Sequence, residues 1–139
     1  MFSVGTDLVH IPGFAEQLAR PGTRFTGVFS AAELRLATQR FGSGSARQAE
    51  HLAGRWAAKE AFIKAWSQAL YGRPPVIAPD DVDFAEIEVR ADAWGRVGIE
   101  LRGAVNDAVD ESLGQWTASL SISHDGDYAT ATVLLVANS

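Results

Sequence analysis

The sequence predicts an α+β fold in which an antiparallel sheet packs against one long buried helix and several shorter ones. Three observations carry this. The alanine-rich segment from Ala46 to about Leu70 reads as a helix of about seven turns with hardly any face suited to water. Two alternating stretches, Trp116 to His124 and Tyr128 to Val136, are joined by Asp125-Gly126-Asp127, which is a strong hairpin signal. A second alternating pair, Glu86 to Arg90 and Val97 to Leu101, flanks turn chemistry from Asp92 to Gly95. The 139 residues are 47% hydrophobic and 21% charged, enough for one core and too few for a second, so a single domain over 1–139 is expected.

Taken in order, Phe2 to Ile11 is β-branched and apolar around Asp7 and reads as a first strand, interrupted by Pro12-Gly13. Pro12 suits the first turn of a helix through Phe14 and Leu18, which Pro21-Gly22 stops. Ser30 with Glu33 three residues later forms a capping box, each side chain taking a free backbone N–H, and a helix through Leu34 and Leu36 follows. Gly42 to Ser45 is a loop before the long helix, which Gly72-Arg73-Pro74-Pro75 ends. Ala104, Val105, Ala108, Val109 and Leu113 recur at helical spacing, with Gly114 as a left-handed stop. In the strand from Trp116, residues Trp116, Ala118, Leu120 and Ile122 alternate with Thr117, Ser119, Ser121 and Ser123, so one face is buried and the other carries hydroxyls.

Composition removes several classes of function. The absence of cysteine excludes disulfides, thiolate metal sites and cysteine nucleophiles, so any metal needs oxygen or imidazole ligands. A net charge of −5 argues against nucleic acid as a partner. No run approaches the roughly 20 apolar residues of a membrane span, and Asp7 interrupts the N-terminus before any signal-like apolar stretch, so no membrane partner and a cytoplasmic location are expected. There is no Walker loop, no Gly-x-Gly-x-x-Gly turn and no Gly-x-Ser-x-Gly elbow.

Between Leu52 and Trp66 every residue is apolar or glycine except Arg55, Lys59, Glu60 and Lys64. Burying an unpaired charge costs several kcal/mol, so these four need partners. Glu60 and Lys64 share one helical stripe, and Arg55 and Lys59 share another about 100° away. The spacing serves two readings: one Glu-to-Lys pair with two snorkelling bases, or an anion site in which the bases hold phosphate and the carboxylate holds a divalent cation. Asp7 is either a turn-forming residue or the second carboxylate of such a site. His124 at a strand end, beside Ser121 and Ser123, is either a packed or solvated histidine or part of a phosphate site.

Together these pieces resemble the holo-acyl-carrier-protein synthases, the small trimeric branch of the 4′-phosphopantetheinyl transferases. Val4-Gly5-Thr6-Asp7-Leu8-Val9 looks like the family's opening strand, and Arg24-Phe25 through Glu33-Leu34 resembles its second segment. Leu52-Ala53-Gly54-Arg55-Trp56-Ala57-Ala58-Lys59-Glu60-Ala61-Phe62-Ile63-Lys64-Ala65 is similar to its signature helix, and Leu120 to His124 with Tyr128-Ala129 to its closing hairpin. The resemblance implies the 4′-phosphopantetheinyl transferase fold. It also implies transfer of 4′-phosphopantetheine from coenzyme A to a serine of an apo acyl carrier protein or carrier domain, in support of fatty acid biosynthesis. Asp7 and Glu60 would bind magnesium, Lys64 would contact phosphate, and Arg55, Lys59, Ser123 and His124 would lie around the nucleotide. A homotrimer would place Ser123 and His124 in a neighbour's cleft. Asp7, Glu60 and Lys64 would form the catalytic set, with Glu60 taking the serine proton directly or through a water.

Two features depart from the family pattern. Trp66-Ser67-Gln68-Ala69-Leu70 extends the signature helix before a long loop, and Arg20, Arg24, Arg35 and Arg40 are diluted by Glu16 and Glu33 where relatives carry a more basic docking surface. Two further readings use the same residues: a metal-dependent hydrolase of a nucleotide or coenzyme A, and a non-catalytic module that binds coenzyme A or a carrier protein.

Overall fold

A computed structural model describes residues 1–138. In chain order the elements are β1 (Phe2–His10), α1 (Ile11–Leu18), α2 (Phe25–Val28), α3 (Ala31–Phe41), α4 (Ala46–Ala69), β2 (Ile87–Ala91), β3 (Val97–Leu101), α5 (Gly103–Leu113), β4 (Gln115–Asp125) and β5 (Tyr128–Asn138), with two short 3-10 turns before β2. The strands β1, β5 and β4 form an antiparallel sheet in that order, and β2 pairs with β3 in a separate hairpin.

Alternation on the central strand decides where α4 lies. Ala129, Ala131, Val133, Leu135 and Ala137 of β5 are buried on one face, joined by Trp116, Ala118, Leu120 and Ile122 from β4. On β1 the inward residues are Ser3, Gly5, Asp7 and Val9. A Cβ at Gly5 would stand 1.9 Å from the Ala61 carbonyl oxygen and 2.5 Å from the Ala65 nitrogen, so only glycine lets α4 rest directly on the strand. Ser3 Oγ completes the seam by donating to the Ala65 carbonyl at 2.8 Å. Aromatic edges close the end of the core near α1 and α2: Phe14 meets Phe25 at 4.9 Å, Phe25 meets Trp56 at 5.3 Å, and Trp56 meets Phe84 at 4.8 Å.

The predicted caps form. Ser30 Oγ accepts from the Glu33 amide at 3.1 Å, and the Ser30 amide donates to Glu33 Oε1 at 2.7 Å. Pro12 sits in the first turn of α1, and Gly114 ends α5 at φ +71°. The two predicted hairpins differ in their setting, because β2 and β3 do not join the main sheet. The free edge of β2 is met by side chains: Glu33 Oε2 accepts from the Val89 amide at 2.9 Å, and Lys59 Nζ donates to the Ile87 carbonyl. With its edge groups satisfied by α3 and α4, this strand needs no further strand beside it.

The opposite face of the three-stranded sheet is apolar and open, with Phe2, Val4, Leu8 and Leu134 exposed on it. No helix among the described residues is long and apolar enough to cross a membrane.

Candidate active site at the α4–β1 seam

The close approach at Gly5 determines what happens two residues later. Asp7, the next inward residue of β1, is brought under the α4 stripe that carries Glu60 and Lys64. Lys64 Nζ donates to Asp7 Oδ1 at 2.8 Å and to the Thr6 carbonyl at 3.1 Å. The Asp7 side chain is 15% exposed and that of Lys64 51%, so the aspartate is largely enclosed while the ammonium remains in reach of solvent. Burial pushes the Glu60 carboxyl above its ordinary value and the nearby Asp7 charge adds to this, while Lys64 and Arg24 pull it back. Among the described residues the Glu60 carboxylate has neither a hydrogen-bond nor an ion-pair partner.

Two carboxylates near enough for the Asp7 charge to act on Glu60, one of them unpartnered, form an arrangement that a divalent cation would relieve. Among the described residues no group of three or more His, Cys, Asp and Glu gathers to enclose a metal. The protein therefore offers two carboxylates, and water and substrate phosphate must complete the shell. That is the ligand set magnesium takes, so these residues fit the ion.

Glu60 also stands at the edge of a cavity of about 420 Å³, whose other walls include Ile63, Trp66, Leu70, Val82 and Phe84. A groove of about 680 Å³ runs past Lys64 between β1 and the end of α4, where Thr6, Tyr71 and Arg73 line it. Ile63, Ser67, Leu70 and Arg73 border both, so the two spaces flank the last turns of α4. Glu60 thus borders the apolar chamber and Lys64, one turn later on the same stripe of α4, borders the groove.

The description of the 4′-phosphopantetheinyl transferase superfamily matches residues 3–133. The chain belongs to this superfamily. The transferase is 64% identical over 135 residues to the holo-[acyl-carrier-protein] synthase of Corynebacterium efficiens, covering 97% of this chain and 94% of that one. Its fold matches the Chronobacterium ammoniagenes ACPS-CoA complex with a TM-score of 0.93 at 61% identity, over 100% of this chain and 99% of that chain. The Mycobacterium tuberculosis acyl carrier protein synthase matches with a TM-score of 0.72 at 39% identity, over 98% and 97% of the two chains.

Within one chain of the transferase, the residues expected at the site separate. Asp7, Glu60 and Lys64 meet. Lys59 does not reach a nucleotide, contrary to the reading of the sequence: it is 0% exposed, and its ammonium is spent on Glu33 Oε1 at 2.8 Å and on the Phe84 and Ile87 carbonyls. Arg55 is half-buried on α4; burial lowers its pKa while Glu33 opposes the shift. Ser123 lies on the exposed hydroxyl face, and His124 Nε2 is 3.4 Å from Glu50 Oε1. Glu50 precedes Glu60 by about 15 Å along α4, so His124 is remote from the carboxylates of its own chain.

Two residues near the site went unassigned to it in the sequence. Arg24, read as a docking base, acts on Glu60 and is held by ring stacking, its guanidinium 4.8 Å from the Phe25 ring and 5.4 Å from Trp56. Glu33, read as a capping residue and as an acid diluting the docking surface, is also the counter-ion of Lys59. The signal for Glu33 was present, since a lysine in an alanine face demands an acid, but no local spacing says which one.

Proposed function

We propose that the protein transfers the 4′-phosphopantetheine group of coenzyme A to a serine of an apo acyl carrier protein or carrier domain, releasing adenosine 3′,5′-bisphosphate. The observation that carries the mechanism is the gathering of Asp7 and Lys64 beside Glu60, which itself borders the apolar cavity. Asp7 and Glu60 would hold magnesium, which when bound neutralises charge on the pyrophosphate and polarises the phosphorus under attack. Lys64 is exposed enough to turn from Asp7 to a phosphate oxygen and stabilise the charge that gathers there. The serine Oγ forms a bond to the β-phosphorus, the bond from that phosphorus to the bridging oxygen breaks, and the bisphosphate leaves with the electron pair. Glu60, unpartnered and with raised proton affinity, accepts the serine proton directly or through a water.

The cavity lined by Ile63, Leu70, Val82 and Phe84 takes the uncharged pantetheine arm and keeps water from the phosphorus, favouring transfer over hydrolysis. Arg55, Ser123 and His124 bind the nucleotide end. Because His124 lies far from Glu60 in its own chain and the outer sheet face is apolar, a homotrimer supplies Ser123 and His124 from a neighbour. The setting is the cytoplasm, where the product serves fatty acid biosynthesis.

The test is to incubate the protein with coenzyme A, magnesium and an apo carrier protein and weigh the carrier by intact mass spectrometry. A phosphopantetheine-sized gain that a chelator abolishes is the expected result. Release of adenosine 3′,5′-bisphosphate with no gain on the carrier would make the protein a hydrolase instead.

A further inference from the structure

The buried pair of Lys59 and Glu33 takes no part in the chemistry above. Its hydrogen bonding is nevertheless complete. The three ammonium protons go to Glu33 Oε1 at 2.8 Å, the Phe84 carbonyl at 2.9 Å and the Ile87 carbonyl at 2.5 Å. The Glu33 carboxylate also accepts from the Ser30 amide at 2.7 Å and the Val89 amide at 2.9 Å. One ion pair therefore ties the start of α3, the middle of α4 and the segment from Phe84 to Val89. Buried pairs of this kind are poor stabilisers, since two apolar side chains of equal volume often serve the fold as well. What apolar side chains cannot do is grip carbonyls at a fixed distance.

Phe84, the first residue of the gripped segment, lines the cavity beside Glu60. It accepts from Lys59 at its carbonyl, and its ring is edge-on to Trp56 with centroids 4.8 Å apart. Lys59 immediately precedes Glu60 on α4, so the same turn of helix carries the carboxylate on one side and the anchor of the opposite wall on the other. We propose that the Lys59–Glu33 pair is a positioning element for coenzyme A: by holding the Phe84 carbonyl it sets the gap between α4 and the Phe84 wall, and so the width of the chamber for the pantetheine arm. The proposal rests on the reading that this cavity takes the arm.

Calorimetry on two variants, with coenzyme A and adenosine 3′,5′-bisphosphate as separate probes, tests it. The first is the double variant Lys59→Met/Glu33→Gln, which removes both charges together, a change that buried pairs tolerate. The second is Phe84→Leu, which trims the wall and leaves the pair intact. The expected result for the double variant is about tenfold weaker binding of coenzyme A, and a matching rise in its KM, with bisphosphate affinity and kcat within about twofold of the parent. A loss of bisphosphate affinity in step with coenzyme A would overturn the proposal, because it signals a nucleotide contact or a generally loosened fold. So would unchanged coenzyme A binding in the double variant while Phe84→Leu weakens it. If neither variant alters coenzyme A binding, the arm does not occupy the cavity and the underlying reading fails as well.

Discussion

Glu60 is kept at a cost to the fold. Its carboxyl is half-buried and lies within range of the Asp7 charge, and both effects raise its proton affinity in the folded chain above that in the unfolded one. A group shifted in this direction favours folding while protonated, and that contribution is lost as pH rises through the folded pKa. At neutral pH the ionised Glu60 is therefore a liability, reduced by its partial exposure. Glu60→Gln should raise the melting temperature by about 2 °C at pH 7 while transfer falls at least a hundredfold. Added magnesium should raise the melting temperature of the parent and leave that of the variant unmoved. A variant that melts lower than the parent would show that Glu60 has a stabilising partner. His51 behaves oppositely. Burial chiefly, then the Arg55 and Arg40 charges, lower its pKa from 6.5 to about 4, so the unfolded chain takes up the proton first and stability falls as pH drops through that window. Discounted for its exposed part, the loss is about 1–2 kcal/mol. In thermal melts at pH 7 and pH 4, His51→Gln should lose several degrees less than the parent across that interval.

The seam between α4 and β1 is the element on which the site depends. A methyl group at Gly5 would strike backbone atoms of Ala61 and Ala65, which cannot turn aside as a side chain can. Gly5→Ala should cost about 2–3 kcal/mol and lower kcat, because the helix that lifts carries Glu60 and Lys64 away from Asp7. Gly27→Ala, where a new Cβ inside α2 meets nothing within 4 Å, is the control and should leave kcat unchanged with stability equal to or slightly above the parent. Most elements were legible because their signals are local. The alanine run of α4, the Ser30 and Glu33 cap, the Gly114 stop and the alternation of β4 and β5 each act within a few residues. The four-residue helix α2 was not legible, since it is too short to show a period. Nor was the separation of β2 and β3 from the main sheet, because the groups that close the edge of β2 come from Glu33 and Lys59, distant in sequence. The carboxylate pair of Asp7 and Glu60 followed from family resemblance, and what brings the two together is the missing side chain at Gly5. Lys59 was misplaced for a related reason: helical spacing tells which face a residue is on, not which distant acid meets it.

At the scale of the whole molecule, one chain holds the proposed functional residues in two separate places and leaves an apolar sheet face uncovered. Phe2, Val4, Leu8 and Leu134 are exposed by 75, 57, 64 and 42% on the side of the sheet away from α4, next to the hydroxyls of Thr117, Ser119 and Ser121. A patch of this kind on a well-packed sheet marks an interface. Leu134 lies at its middle, on β5 between Val4 of β1 and Ser119 of β4, so under the proposed homotrimer Leu134→Glu should leave the chain folded but monomeric in light scattering. A sharper test uses two disabled proteins. Glu60→Gln protomers keep a working His124, and His124→Ala protomers keep a working Glu60. If each site draws Glu60 from one subunit and His124 from the next, unfolding and refolding an equal mixture should regain about a quarter of the parental activity, since random assembly joins the two intact halves at one site in four. If both residues served the same chain's site, every site in the mixture would lack one of them and nothing would be regained. The separation of His124 from Glu60 by about three turns of α4 makes recovery the expected result.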